Sequence, residues 1–213
     1  MSEQENKYKA FLTEKFINNL NGSLEKEDIE KIAEIKREKI KKTVITIGSN
    51  SPSNIAGANE LNTSIKEYIK ERKIEADIVE VGSLGMISLE PIISIQLPGK
   101  TKLFFKNVAL ENIISILDGT FNNYIHEESV LGQIRNEMLE SYERIPYLDE
   151  LSYFQNQQRL ILKNCGFIDP NSIEEYLAHG GYKSFFKSIY KNTPEEICDI
   201  IEQSKLRGRG GEK

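Results

Sequence analysis

The run Thr43-Val44-Ile45-Thr46-Ile47-Gly48 contains five β-branched residues and no charge, and it constrains the fold more than any other stretch of the 213 residues. Branching at Cβ stiffens χ1 and suits a pleated, packed surface, so this run is predicted to be a strand. A Ser/Asn/Pro loop, Ser49–Asn54, follows, then a helix from Ile55 to about Lys73 and a second strand, Ala76–Val81. The loop Gly82–Pro91 leads to a strand Ile92–Leu97, a Pro98-Gly99 turn, a strand Lys102–Val108, and a helix Ala109–Leu117 that ends at Gly119. Residues 43–119 are therefore predicted to form one α/β domain.

Helical segments flank it. Residues 1–42 are predicted to hold two helices. The first, Glu5–Leu20, spaces Tyr8, Phe11, Leu12, Phe16 and Leu20 at helical intervals and stops at Asn21-Gly22. The second, Leu24–Lys41, follows a Ser23 cap and carries Ile29, Ile32, Ala33, Ile35 and Ile40. Such stripes usually pack against their own domain; a partner helix is the alternative. Residues 120–157 form a connector, predicted as a helix Glu127–Tyr142 with Val130, Leu131, Ile134, Met138 and Leu139 on one side, then an extended aromatic stretch, Ile145–Gln155. Residues 158–213 begin with an extended Arg159–Lys163. A helix starts near Asn171 and Glu174 and stops at Gly180-Gly181, and Tyr182, Phe185, Phe186 and Ile189 line another. Thr193-Pro194-Glu195-Glu196 is a capping box with proline at the first helical position, opening a helix to Ser204 whose Ile197, Ile200 and Ile201 are predicted to be buried.

Charge and composition exclude several functions. A formal net charge of −5 argues against a general nucleic-acid binder, which needs a basic surface; Lys205, Arg207, Arg209 and Lys213 form a local exception. No apolar run approaches the ~18 residues of a membrane span, and Met1–Lys7 has no signal-peptide core, so a cytoplasmic chain without direct membrane insertion is expected. The two cysteines, Cys165 and Cys198, exclude a disulfide framework and a four-cysteine metal site within one chain; both are predicted to be buried structural thiols. His126, Glu127 and Glu128 are adjacent and cannot share one helix side, so His126 is predicted to be solvated. His179 is predicted at a helix C-terminus, complementing the dipole.

The order of elements in residues 43–119 is that of a thioredoxin-like domain. With Ile55-Ala56-Gly57-Ala58 opening the helix and Val81-Gly82-Ser83-Leu84-Gly85 leading to Glu90-Pro91-Ile92, it resembles the thioredoxin-like [2Fe–2S] ferredoxin domain that accompanies NADH-oxidising flavoproteins. The resemblance places the second ligand pair at Ser83 and Ile87 and the first within Gly48–Ser53, none of which offers a thiolate, so no [2Fe–2S] cluster is expected. Without Cys-X-X-Cys, dithiol exchange is excluded as well. Ser49, Ser51 and Ser53 can bind a small anion at the helix entry, but plain turn residues read the same way.

The tail Leu206-Arg207-Gly208-Arg209-Gly210-Gly211 brings bare backbone and guanidinium groups together, as a phosphate cradle requires. A glycine-rich tail or an arginine–glycine RNA-binding segment has the same letters. It is preceded, in order, by Arg159–Pro170, Ile173-Glu174-Glu175-Tyr176, Gly180-Gly181-Tyr182 and Thr193-Pro194-Glu195-Glu196. This series resembles the entry to the NADH-binding flavoprotein subunit of respiratory complex I and its relatives in NAD-dependent hydrogenases and formate dehydrogenases. The resemblance implies that Gly208, Arg209, Gly210 and Gly211 correspond to the first half of an FMN-binding loop, and that FMN and NAD(H) are cofactors of the complete family protein. With the sequence ending two residues later, the chain is expected to be the truncated N-terminal part of such a subunit, inactive and without bound cofactor alone. Its partners would be other subunits of a redox complex or the remainder of the flavoprotein. A non-catalytic thioredoxin-like docking module is the alternative.

Overall fold

A computed structural model describes residues 7, 10–12, 14–15, 24–208 and 210. The chain divides into two compact units, one of residues 36–172 and one of residues 1–35 with 173–213. Helix α1 (Lys26–Ile35) lies in the second of these.

The larger unit is built on β1 (Thr43–Gly48), the short α2 (Ser51–Ile55), α3 (Ala58–Arg72), β2 (Ala76–Val81), β3 (Ile93–Gln96), β4 (Leu103–Phe105), α4 (Leu110–Phe121), β5 (Val130–Gln133) and α5 (Ser152–Gln155). Its five strands lie in the order β2-β1-β3-β4-β5. β1 pairs parallel with β2, Ile45 opposite Ile78, and antiparallel with β3, Ile45 opposite Ile95; β3–β4 and β4–β5 are antiparallel. A β-α-β unit followed by an antiparallel hairpin and a helix is the thioredoxin-like arrangement, as the sequence predicts.

Side chains alternate across the sheet with period two. Ile45, Ile47, Ile93, Ile95, Leu103 and Phe105 meet Leu61, Ile65 and Tyr68 of α3 and Ile113, Ile116 and Leu117 of α4. On the other face Phe104 and Leu131 pack with Leu84, Ile92 and Leu148, while Val44, Val79 and Val81 gather Ile40. β1 is thus buried at all six positions. Across α3 and α4, the Tyr68 hydroxyl donates to Asp118 at 2.7 Å, and Arg72 reaches the same carboxylate at 3.1 Å.

Several elements differ from the sequence reading. The helix predicted over Glu127–Tyr142 is instead a 3₁₀ turn, Glu127–Ser129, and β5. Val130 joins the helix-side core and Leu131 the opposite one, so these neighbours obey period two rather than 3.6. Pairing with β4 fixes the choice, and buried Gln133 anchors it. Its amide accepts from Thr101 and from the Tyr142 backbone N–H and donates to the carbonyls of Tyr142 and Ile145, all at 2.7–2.8 Å. The helix predicted to reach Lys41 ends at Ile35, because Arg37 takes a left-handed φ of 56° and Ile40 packs beside Val44 instead of continuing the stripe. The helix predicted from Ile55 is two: Asn50 caps α2, accepting from the Ser53 N–H at 3.0 Å, and Gly57, with φ 102°, separates it from α3.

α4 runs through Gly119 to Phe121, and Gly119 instead makes room for the carbonyl of Tyr124. The Ile145–Gln155 stretch contains a 3₁₀ turn, Leu148–Glu150, and α5 rather than being extended. Residues 159–163 are not extended: residues 161–167 form turns, and the Arg159 guanidinium donates to the carbonyls of Leu162 and Cys165.

The smaller unit holds α1, α6 (Ile173–Ala178), α7 (Lys183–Lys191) and α8 (Pro194–Ser204); Lys7, Ala10–Leu12 and Glu14–Lys15 are also helical. The remainder of the predicted Glu5–Leu20 helix, with Tyr8, Phe16 and Leu20, lies outside the described residues, as do Asn21, Gly22 and Ser23. Leu12, Ile35, Leu177 and Ala178 make its core, joined by Phe11, Ile32 and Ile173. Lys15 pairs with buried Asp28 at 2.8 Å and holds its carboxyl below the usual range. The capping box of α8 is formed: the Thr193 hydroxyl accepts from the Glu196 N–H and the Glu196 carboxylate accepts from the Thr193 N–H. Its predicted buried face is not; Ile200 and Ile201 are exposed and Ile197 is half-buried. Among the described residues no helix is long and apolar enough to cross a membrane.

Phe105→Ala removes a fully buried ring between sheet and helices; it is expected to lower the unfolding free energy by about 3–5 kcal/mol, seen as a drop in urea midpoint. Burial, aided by the Asp118 carboxylate, pushes the Tyr68 hydroxyl up to about 12, and burial, aided by Glu140, does the same to Tyr142. The folded tyrosines keep their protons where unfolded ones lose them, near pH ~10. Their contribution is whole below that pH and is lost as pH rises to about 12. Tyr68→Phe and Tyr142→Phe should each flatten the fall in urea midpoint measured across that window.

Candidate functional site

Parallel pairing aligns the C-terminal ends of β1 and β2, the edge where open α/β sheets bind ligands. There the chain turns at Gly48 into the Asn50 cap and at Val81 into the loop Gly82–Pro91. A small recess, partly open to solvent, is lined at this edge by Gly48, Gly82, Leu84, Glu90, Phe104 and Gly166, among others. Gly166 closes one side; its φ of 85° and the 2.5 Å that would separate a Cβ from Leu84 Cδ2 both require glycine.

Glu90, only 8% exposed, organises the polar side of the recess. One carboxylate oxygen accepts from Ser83 Oγ at 2.9 Å and Asn50 Nδ2 at 3.4 Å, and the other accepts from the Ile92 N–H at 3.0 Å. The Glu90–Pro91 bond is cis. Ser53, fully buried, leaves its hydroxyl without a hydrogen-bond partner, 3.0 Å from where a Cβ on Gly48 would lie. Behind them Thr46 and Ser94 share a buried hydroxyl–hydroxyl bond of 2.6 Å. The carboxylate therefore ties both loops to the first residues before β3.

This edge is where the ferredoxin resemblance puts an iron–sulfur cluster. The residues present do not fit one: Asn50, Ser53, Ser83 and Glu90 offer amide, hydroxyl and carboxylate oxygen, and Ile87 is an exposed side chain with no donor. The single thiol next to Gly166, Cys165, is half-buried, and its carbonyl is engaged by Arg159. Among the described residues no group of three His, Cys, Asp or Glu side chains is arranged to hold a metal ion.

Of the other sequence-nominated residues, Ser49 and Ser51 are exposed, whereas Ser53 turns inward. Cys198 is exposed, contrary to expectation, because α8 presents no buried residue. His126 is half-buried rather than solvated, edge-on to Tyr124 at 5.4 Å and against Gly119. His179 follows the last residue of α6, as predicted. In the tail, Lys205 ends α8 with a left-handed φ of 52°, and Gly208 and Gly210 are exposed, with nothing within 4 Å of a Cβ placed on Gly210. Arg209 and Gly211 lie outside the described residues. The described tail residues 205–208 and 210 are all exposed.

Sequence reasoning alone does not single out Glu90 and Gly166 as site residues. The signal for Glu90 is a charged residue between proline and a glycine-rich loop; Gly166 sits about 80 residues from the loop it contacts and leaves no local trace.

No family model matches the chain. It is 47% identical over 57 residues to the NADP-reducing hydrogenase subunit HndC of Solidesulfovibrio fructosivorans, covering 27% of this chain and 11% of that protein. Over 73 residues it is 38% identical to the F subunit of NADH-quinone oxidoreductase in Aquifex aeolicus, covering 34% and 16% respectively. Part of this chain is homologous to that class of protein. Another relative, one of the F subunits of NADH-quinone oxidoreductase in Rhizobium meliloti, is 38% identical over 52 residues, 12% of its length. The matched stretches thus span between about a tenth and a sixth of these relatives. The thioredoxin-like [2Fe-2S] ferredoxin of Aquifex aeolicus is similar in structure, with a TM-score of 0.38 at 12% identity over 47% of this chain and 100% of that one. The fold reading rests on strand order and pairing.

Glu90→Leu should leave the Ser83, Asn50 and Ile92 donors without an acceptor and cost about 2–4 kcal/mol in urea unfolding. Glu90→Gln keeps an acceptor oxygen and is expected to cost roughly half as much.

Proposed function

We propose that this chain contributes the N-terminal region of an NADH-oxidising flavoprotein subunit of the NADH-quinone oxidoreductase or NAD(P)-linked hydrogenase type, working in the cytoplasm with other subunits of a redox complex. The observation that carries this reading is the 47% identity over 57 residues to a hydrogenase subunit, supported by 38% identity over 73 residues to an NADH-quinone oxidoreductase subunit. In the complete protein, bound FMN would supply hydride acceptance from NADH and one-electron release. Gly208, Arg209, Gly210 and Gly211 form the first part of the phosphate-holding loop, the glycines letting backbone N–H groups approach and the Arg209 guanidinium pairing with phosphate oxygens. The chain alone binds neither FMN nor NAD(H), since a flavin needs an apolar enclosure as well as a phosphate grip.

The thioredoxin-like unit acts here as a scaffold. Its ligand edge is held by a hydrogen-bonded carboxylate rather than by thiolates. That observation also favours a second reading, a docking module without redox chemistry of its own.

The readings separate in one experiment: co-expression with the polypeptide encoded directly downstream. Stoichiometric flavin absorbance and NADH oxidation in the co-purified product, absent from the chain alone, are expected on the first reading. Arg209→Ala should lower FMN occupancy at least ~10-fold, the scale of a lost charge-assisted phosphate contact. A flavin-free product would overturn the first reading and leave the docking module.

A further inference from the structure

We propose that the polar end of the recess binds one water molecule, which bridges the Ser53 hydroxyl to the Glu90 carboxylate. The site stands whether or not the chain completes a flavoprotein. Ser53 has no exposed surface, and its hydroxyl has no hydrogen-bond partner in the protein. Buried polar groups in folded proteins are nearly always paired, with protein or with ordered water.

Three polar atoms converge where Gly48 lacks a side chain. A Cβ there would lie 3.0 Å from Ser53 Oγ, 3.2 Å from Asn50 Nδ2 and 3.2 Å from Glu90 Oε2. The two oxygens are therefore no more than about 6 Å apart, close to the span of one water bonded to each at about 2.8 Å. Gly48 and Glu90 also line the recess, which offers about 10 Å³ to the centre of a water-sized body. That is room for one molecule and no more.

The count of donors and acceptors selects the ligand. Asn50 Oδ1 accepts from the Ser53 N–H as the cap of α2, which fixes Nδ2 on the side of Glu90. One Nδ2 hydrogen goes to Glu90 Oε1, and the second is left to donate. Oε1 accepts from Ser83 as well, whereas Oε2 accepts from the Ile92 N–H and keeps a lone pair. A water accepting from Ser53 and Asn50 and donating to Oε2 has the two to four partners that burial demands.

The charged alternatives fit less well. An anion, the ligand that the serines of this loop suggest in the sequence, is repelled by the Glu90 carboxylate. A cation meets the Asn50 amide hydrogens, and among the described residues no three His, Cys, Asp or Glu side chains are grouped to hold one. The water ties the turn after β1 to the loop before β3, alongside the long Asn50–Glu90 bond of 3.4 Å.

The test is a high-resolution crystal structure of the full chain, joined to urea unfolding of Ser53→Ala. Density for one water within about 3.2 Å of both Ser53 Oγ and Glu90 Oε2 is expected. An empty position, or a Ser53 hydroxyl bonded directly to the carboxylate, overturns the proposal, and this result needs no variant to fold. Ser53→Ala should lower the folding equilibrium constant about tenfold, the scale of one lost hydrogen bond. A hydroxyl that truly lacks a partner gives the opposite sign, so an unchanged or higher constant overturns the proposal. Stabilisation of the wild type by potassium or ammonium chloride over choline chloride, lost in Ser53→Ala, assigns the site to a cation and overturns it too.

Discussion

Burial of β1 on both faces is the constraint from which the larger unit follows. A strand with Ile45 and Ile47 facing two helices and Val44 facing a second layer cannot sit at a sheet edge. Partners on both sides are required to satisfy its backbone, and parallel β2 and antiparallel β3 provide them. The parallel partner demands a crossover, which α3 makes, and the antiparallel one allows the hairpin to β4. The position of the recess is then set, because parallel neighbours end together and the loops after Gly48 and Val81 must share that edge.

At that edge hydrogen bonding holds the loops together. Soft thiolates would cross-link two loops through a cluster; here a single carboxylate, Glu90, links Ser83, Asn50 and the start of β3. A buried charge is tolerable when its lone pairs are occupied, and three donors occupy most of those available. The arrangement ties both loops to the start of β3.

The smaller unit follows a different logic. Its core is a handful of residues around Leu12, Ile35 and Leu177, and its last two helices keep their apolar faces in solvent. Where the larger unit encloses its hydrophobic surface, this one leaves the apolar side chains of α7 and α8 largely exposed.

Local chemistry alone determined β1, β2 and the Thr193 capping box, because β-branching and a side chain that satisfies its own helix end act over a few residues. It also fixed the absence of thiolates at positions 48–53 and 83–87, which no packing can change. Only tertiary structure decided that Val130–Gln133 is a strand, since its helical spacing is overridden by β4 and by the four hydrogen bonds of Gln133. It alone ended α1 at Ile35, turned Ser53 inward and buried Glu90. The same limit applies in reverse to Ile197, Ile200 and Ile201: their spacing specifies a buried face, but burial needs a partner surface, and a pattern along one helix cannot say where that partner is.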